Sequence, residues 1–162
     1  MDMGRNFTPV RASASLPFLA PIVHFDKRRL LDGALTDPIP FDRGQRAGYD
    51  KFVIVLTRNK GYQKEPFGHT AFLKAAFRKY PAVAEAMRTR HEIYNRQLAL
   101  CEKLEKAGRA VIIRPLKPLN VSRAKAEVPA LLALHDEGLY EGRAALGSIE
   151  AVSYTHLTLP TT

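Results

Sequence analysis

An α/β fold is what this sequence predicts, and two apolar runs with a long amphipathic stretch between them predict it. Phe52-Val53-Ile54-Val55-Leu56 is an unbroken apolar run, β-branched at its three central positions. That composition suits a strand buried on both faces. Ala110-Val111-Ile112-Ile113 is a second such run, ended by Pro115. Between them, from Ala82 to about Lys106, the residues Val83, Met87, Tyr94, Leu98, Cys101 and Leu104 fall on one face at helical spacing. A strand, a helix and a second strand in that order predict a crossover between parallel strands.

The remaining elements follow from local signals. Arg11 to Leu16 reads as a short helix ended by Pro17. Ile22 to Phe25 and Arg29 to Leu31 read as strands joined by a turn at Asp26-Lys27. Phe41 to Ala47 reads as a short helix, with Gly48 placed where a helix stops. Arg58 to Pro66 is a polar loop, and His69 to Tyr80 a helix that Pro81 separates from the long one. Gly108 sits at the expected end of the long helix. Lys117 to Arg123 reads as a loop, Lys125 to Glu137 as a last helix, and Tyr140 to Leu146 as a further helical piece. A change of domain is expected near Thr57, giving segments 1–57 and 58–151, the second mostly helical.

Composition narrows the function classes. With 162 residues, 46% apolar and 25% charged, the chain suits one ordinary globular domain. A single cysteine, Cys101, excludes an internal disulfide, and its place on the apolar helical stripe makes it a packed core thiol. His24, His69, His91 and His135 lack zinc-ligand spacing and there is no second cysteine to help, so no metal site is expected. His91 lies in the long helix, where a surface or capping role is expected of it. No apolar run approaches the length of a membrane span. The net charge of +9 reads first as a basic solvated surface and second as attraction to anionic lipid headgroups. Nucleic acid is not expected as a partner, because basic residues are not interleaved with stacking aromatics.

The most informative stretch is Arg28-Arg29-Leu30-Leu31-Asp32-Gly33-Ala34-Leu35-Thr36-Asp37-Pro38-Ile39-Pro40-Phe41. A short apolar run feeds Asp32, Gly33-Ala34 lets the backbone turn beside it, and Asp-Pro-Ile-Pro fixes the exit. An acid at the end of a buried strand with small neighbours is placed to present a carboxylate to a pocket. Asp37 is its rival, but preceding Pro38 it is expected to brace the loop. Leu16-Pro17-Phe18-Leu19-Ala20-Pro21 is expected either to line an acyl-chain pocket or to pack beneath the sheet.

Residues 12–25, Leu30 to Ala34 and Asp37 to Pro40 together resemble the second half of the bacterial patatin-like phospholipase domain. The likeness continues through Phe52 to Arg58, Gly61-Tyr62, Arg78 to Pro81, Arg90 to Asn95 and Ile113 to Pro115, and covers most of residues 8–145. The resemblance implies a three-layer α/β/α fold, here incomplete, with a mostly helical carboxy-terminal extension. It implies a Ser–Asp dyad in which Asp32, within the motif Asp32, Gly33 and Ala34, is the catalytic carboxylate. It also implies lipid or small-ester substrates and no cofactor. Residues 1–57 then correspond to the carboxy-terminal end of the catalytic domain and 58–151 to the extension.

The family's Gly-x-Ser-x-Gly motif is missing. Of Ser13, Ser15, Ser122, Ser148 and Ser153, none has glycines two residues away on both sides. The expectation is therefore a fragment that supplies the acid without the nucleophile and is inactive alone. Val152 to Thr161 resembles the translation of a transposase sequencing adapter, so 152–162 reads as a non-native tail. The parent is expected to be a serine acyl hydrolase, cytoplasmic or peripheral to the inner membrane face. The alternative expectation is a non-catalytic basic module, centred on 58–151, that binds anionic membrane surfaces.

Overall fold

The computed structural model describes residues 7–118 and 127–154, the last of these by its backbone alone. In chain order the elements are α1 (Thr8–Ser13), β1 (Val23–Phe25), β2 (Arg28–Leu30), a 3₁₀ turn (Gly33–Leu35), α2 (Phe41–Arg46) and β3 (Phe52–Val55). They continue with α3 (Thr70–Ala76), α4 (Pro81–Lys106), β4 (Ala110–Ile113), α5 (Val128–Ala144) and α6 (Leu146–Tyr154). The fold is mixed α/β. The chain divides into two compact units, one ending its first segment at Ile39 and resuming over Lys64–Gln97, the other made of Pro40–Gln63 and Leu98 onward.

The first unit contains a β-hairpin in which Val23 faces Leu30, His24 faces Arg29 and Phe25 faces Arg28. Asp26 and Lys27 both have positive φ (48° and 57°), the conformation a tight two-residue hairpin turn requires. The turn stands at the two residues expected, whereas the first strand is one residue shorter and the second begins and ends one residue earlier. Val23 is buried and its hairpin neighbours His24, Arg28 and Arg29 are exposed, so β2 is an arm of a surface hairpin and not a buried strand. Leu73, on α3, is the best-buried apolar side chain of this unit at 1% exposure, worth about 2–3 kcal/mol of transfer free energy. Ala12, Leu35, Ile39 and Ala84 join it in the unit's core.

The helix boundaries here differ from those expected, each time through proline. The first helix covers Thr8–Ser13 instead of Arg11–Leu16, because Pro9 fits the first turn, where its missing N–H costs nothing. The chain leaves it through tight bonds such as Ser15 N–H to Ala12 O. Helix α3 stops at Ala76 and does not reach Tyr80. The residue before a proline avoids helical backbone, and Tyr80 N–H instead closes a turn on Phe77 O at 2.7 Å. Pro81 itself opens α4; it starts the long helix as well as separating it from α3.

In the second unit β3 and β4 pair in parallel, Phe52 with Ala110 through Val55 with Ile113, as the crossover argument requires. The strand was expected to be buried on both faces. Ile54 and Leu56 are buried, but Val53 and Val55 are 51% and 70% exposed. A sheet of two strands has one covered face and, among the described residues, no further strand beside β3. Gly44 on α2 lies against this strand: a Cβ there would come within 2.8 Å of the Phe52 ring, so close packing requires glycine. Arg114, just past β4, reaches back to Glu102 (3.1 Å) and Glu105 (2.7 Å) on α4.

Gly108, at φ 66°, ends the turn after α4 as predicted. Helix α5 is one continuous helix through Gly138 and Gly142; two pieces were expected. Glycine inside a helix costs only about 1 kcal/mol relative to alanine, which does not suffice to break it. Helix α6 follows, and Lys51 Nζ donates to the carbonyl of Val152 within this unit. Residues 119–126, holding most of the expected Lys117–Arg123 loop, Ser122 and the start of the expected Lys125–Glu137 helix, lie outside the described residues, as do 155–162 of the suspected tail.

Candidate functional site

Asp32 sits two residues beyond β2, at the entrance of the 3₁₀ turn. Three sets of bonds fix it. Its N–H donates to Ser15 O at 2.9 Å, and Ser15 is itself buried, its Oγ donating to Arg11 O at 2.8 Å. Its Oδ1 accepts the Ala34 N–H at 2.8 Å, which makes Asp32 the cap of the turn. Its carbonyl accepts from Leu35 N–H at 3.2 Å. Among the described residues the other carboxylate oxygen has no protein donor.

Asp32 therefore is not carried on the end of a buried strand, as the sequence suggested; a capped turn holds it. Nor does Gly33 owe its place to backbone conformation. Its φ is not in the left-handed region, and a Cβ built there would meet nothing within 4 Å. Its effect is to leave open space beside the carboxylate.

That space belongs to a cleft of about 300 Å³, walled by Arg29, Leu31, Asp32, Thr36, Tyr80 and Val83. The Arg29 guanidinium lies 5.4 Å from the centroid of the Tyr80 ring, an attraction between a cation and the negative face of an aromatic. Ala82 and Val83, in the first turn of α4, also border the cleft, so the positive end of the helix dipole lies there.

Helix α4 holds the turn with polar side chains. Arg90 Nε donates to Ala34 O at 2.8 Å. Gln97, buried at 6% exposure, accepts from Ile39 N–H at 3.0 Å and donates to an Asp37 oxygen at 2.6 Å. Asp37 braces the exit of the loop, as anticipated, although its partner comes from far along the chain and not from nearby backbone. Asn95 does the same for a second loop, accepting from Lys64 N–H (2.8 Å) and donating to Lys64 O (3.1 Å). Nothing in the local sequence assigns these three helical residues such a role. A signal existed: Arg90 and Gln97 are seven residues apart, two turns of one helix face.

Ser15 meets Asp32 through its backbone carbonyl, while its hydroxyl is committed to Arg11 O, and Ser153 Oγ donates to Ile149 O. His91 bonds through Nδ1 with Arg88 O on its own helix, and His135 with Asp136. No group of three metal-ligating side chains occurs among the described residues.

Cys101 is fully buried. Burial, with smaller contributions from Asp42 and Glu102, pushes its thiol up to about 11. Because the folded state prefers the protonated thiol, its contribution to stability is full below the ordinary value of 9.0 and is lost as pH rises from there to about 11. Two outcomes follow. The stability difference between wild type and Cys101→Ala shrinks over that window, and alkylation of the native thiol at mildly alkaline pH runs about a hundredfold slower than in urea. Rapid native alkylation would contradict the packing.

The family model described as a domain of unknown function, DUF6363, matches residues 80–153. The match takes in α4, β4, α5 and all but the last residue of α6. Asp32, Gly33 and Ala34 lie outside it, while Arg90 and Gln97, which hold their turn and its exit loop, lie inside. No curated protein matches the chain.

Proposed function

We propose that Asp32 is the proton-accepting carboxylate of a patatin-like serine acyl hydrolase of three-layer α/β/α fold, acting on lipid or small-ester substrates. The motif resemblance around Asp32, Gly33 and Ala34 supports this reading. The observation that carries it is the state of the carboxylate. One oxygen is committed to the Ala34 N–H, the other has no protein donor among the described residues, and the group borders an open cleft. A proton acceptor needs that arrangement: a fixed orientation and a free lone pair.

In this mechanism a serine contributed by polypeptide other than these residues attacks the ester carbonyl carbon. Its hydroxyl proton passes to Asp32 as the new C–O bond forms. The bond to the alcohol then breaks, and the alcohol leaves with the proton from Asp32. Water repeats the sequence on the acyl-enzyme, giving up its proton to Asp32 and releasing the acid and the serine hydroxyl. Small residues beside Asp32 leave room for the acyl carbonyl, and Arg90 keeps the turn rigid through Ala34 O.

The chain alone is expected to leave nitrophenyl esters intact and to stay unlabelled by a serine-reactive fluorophosphonate. The product of the complete reading frame is expected to hydrolyse the ester and take the label. Labelling of the isolated chain would overturn the reading. So would an upstream coding region without a Gly-x-Ser-x-Gly motif.

A further inference from the structure

The first unit carries an exposed aromatic cluster that the Asp32 cleft does not use. Phe18 stacks on Phe72 with ring centroids 5.5 Å apart and meets Phe77 at 5.0 Å. Yet Phe18, Leu19 and Phe72 are 53%, 71% and 56% exposed. Water-facing rings that pack on one another form a patch and not scattered surface residues, and such patches mark interaction sites. Phe18 also has φ 66°, a left-handed backbone that a bulky side chain rarely adopts. The segment therefore holds its ring outward against the local preference of the chain, a kind of strain that concentrates where a surface has a task.

Charge identifies the occupant. From Thr70 to Tyr80 the segment holds Lys74, Arg78 and Lys79 and no acidic residue, and from Phe7 to Phe25 it holds Arg11 and no acidic residue. Lys74 and Arg78 line a groove of about 470 Å³ beside Leu73 and Phe77. The nearest acid on that groove, Glu85, is already bonded to Arg88 at 2.6 and 2.8 Å. A second copy would bring like charge onto like charge in a chain of net charge +9. Anionic phosphates above an apolar layer complement both halves of the patch, since aromatic and leucine side chains enter the headgroup boundary while Lys and Arg stay at phosphate level.

We propose that the Phe18–Leu19 tip and α3 form a docking surface for anionic membranes. Phe18, Leu19 and Phe72 enter the interface, and Lys74, Arg78 and Lys79 meet the lipid phosphates. This surface stands independently of the role given to Asp32, because it needs no nucleophile.

The test is co-sedimentation of the full chain with vesicles of phosphatidylcholine carrying about a quarter phosphatidylglycerol, against phosphatidylcholine alone. Binding to the anionic vesicles is expected to be at least about tenfold tighter, and to weaken with salt as screening shortens the reach of the charges. Leu19→Ser and Phe72→Ser each reduce it about tenfold, and Lys74→Gln and Arg78→Gln about fivefold each at low salt. Phe18→Gly is the most telling variant. It removes the ring yet relieves the left-handed strain, so membrane binding falls while the melting temperature holds or rises. The pair Leu131→Ser and Leu132→Ser, exposed apolar residues on α5, is expected to change binding less than about twofold.

Equal binding by wild type and Phe18→Gly overturns the proposal, as does an equal loss in the α5 pair. No sedimentation with either vesicle overturns it too. Self-association without lipid that Phe18→Gly abolishes would assign the patch to a second copy instead.

Discussion

If Asp32 has the role proposed for it, Asp32→Asn in a polypeptide that also carries the nucleophile is expected to lower ester hydrolysis by about 10²–10⁴-fold with little change in stability. The two halves of this outcome have separate causes. Asparagine retains a side-chain oxygen that can accept the Ala34 N–H, so the cap of the 3₁₀ turn survives; Asp and Asn are near-equivalent caps. What it loses is the capacity to take a proton from the attacking hydroxyl. The measurement is kcat and KM on one ester, with a thermal melt of each protein. A fall in kcat at unchanged KM and melting temperature identifies a chemical role. Normal turnover in this variant refutes the assigned role, and a fall in melting temperature matching the loss of rate would make Asp32 a structural cap.

Gln97→Leu is expected to be the most destabilising near-isosteric change in the first unit, by about 2–4 kcal/mol. Gln97 is buried and bridges two groups that have no easy replacement, the Ile39 N–H at 3.0 Å and an Asp37 oxygen at 2.6 Å. Leucine fills a similar volume, so cavity formation is a small part of the effect. The cost comes from the orphaned groups, and the bond from the amide to the Asp37 carboxylate is charge-assisted, stronger than one between neutral groups. Urea unfolding gives the number through the shift in midpoint at constant slope. Because the bridge holds the exit of the Asp32 turn, the complete protein is expected to lose hydrolytic rate in the same variant. A change within about 0.5 kcal/mol, as an ordinary surface site would give, would show that the bridge is not a support.

Local signals in the chain determine the structure where one physical rule dominates. The hairpin turn at Asp26-Lys27, the parallel pairing of Phe52–Val55 with Ala110–Ile113, the stop at Gly108 and the buried Cys101 were all legible. Each depends on residues near it in sequence or on a strong apolar period. Proline, by contrast, has two meanings. Pro81 both disfavours helix before it and opens the helix after it, and Pro9 sits where it starts a helix. The gap expected at Gly138 and Leu139 is absent, since the cost of a helical glycine is too small to interrupt α5.

The candidate site was legible in identity and not in support. The Asp-Gly-Ala motif singled out Asp32, but its neighbours Ser15, Arg90 and Gln97 were not visible as partners. Arg90 and Gln97 contact backbone atoms 56 and 58 residues away. The seven-residue spacing of Arg90 and Gln97 marks a shared helix face but not what that face meets, because any polar residue there looks like solvated surface.

By itself the sequence determined the alternation of strands and helices, the basic charge and the position of the Asp-Gly-Ala carboxylate. Those properties reside in composition and short-range spacing, which tertiary contacts do not alter. Only the tertiary structure decided that Asp32 caps a turn with one oxygen spoken for, that Val53 and Val55 face outward, and that Phe18 joins Phe72 and Phe77 in one exposed patch. The outward faces and the patch depend on packing between groups far apart in the chain, and the cap, though local, sits in a turn that Ser15 and Arg90 hold from a distance, so they exist only once the backbone has brought these groups together.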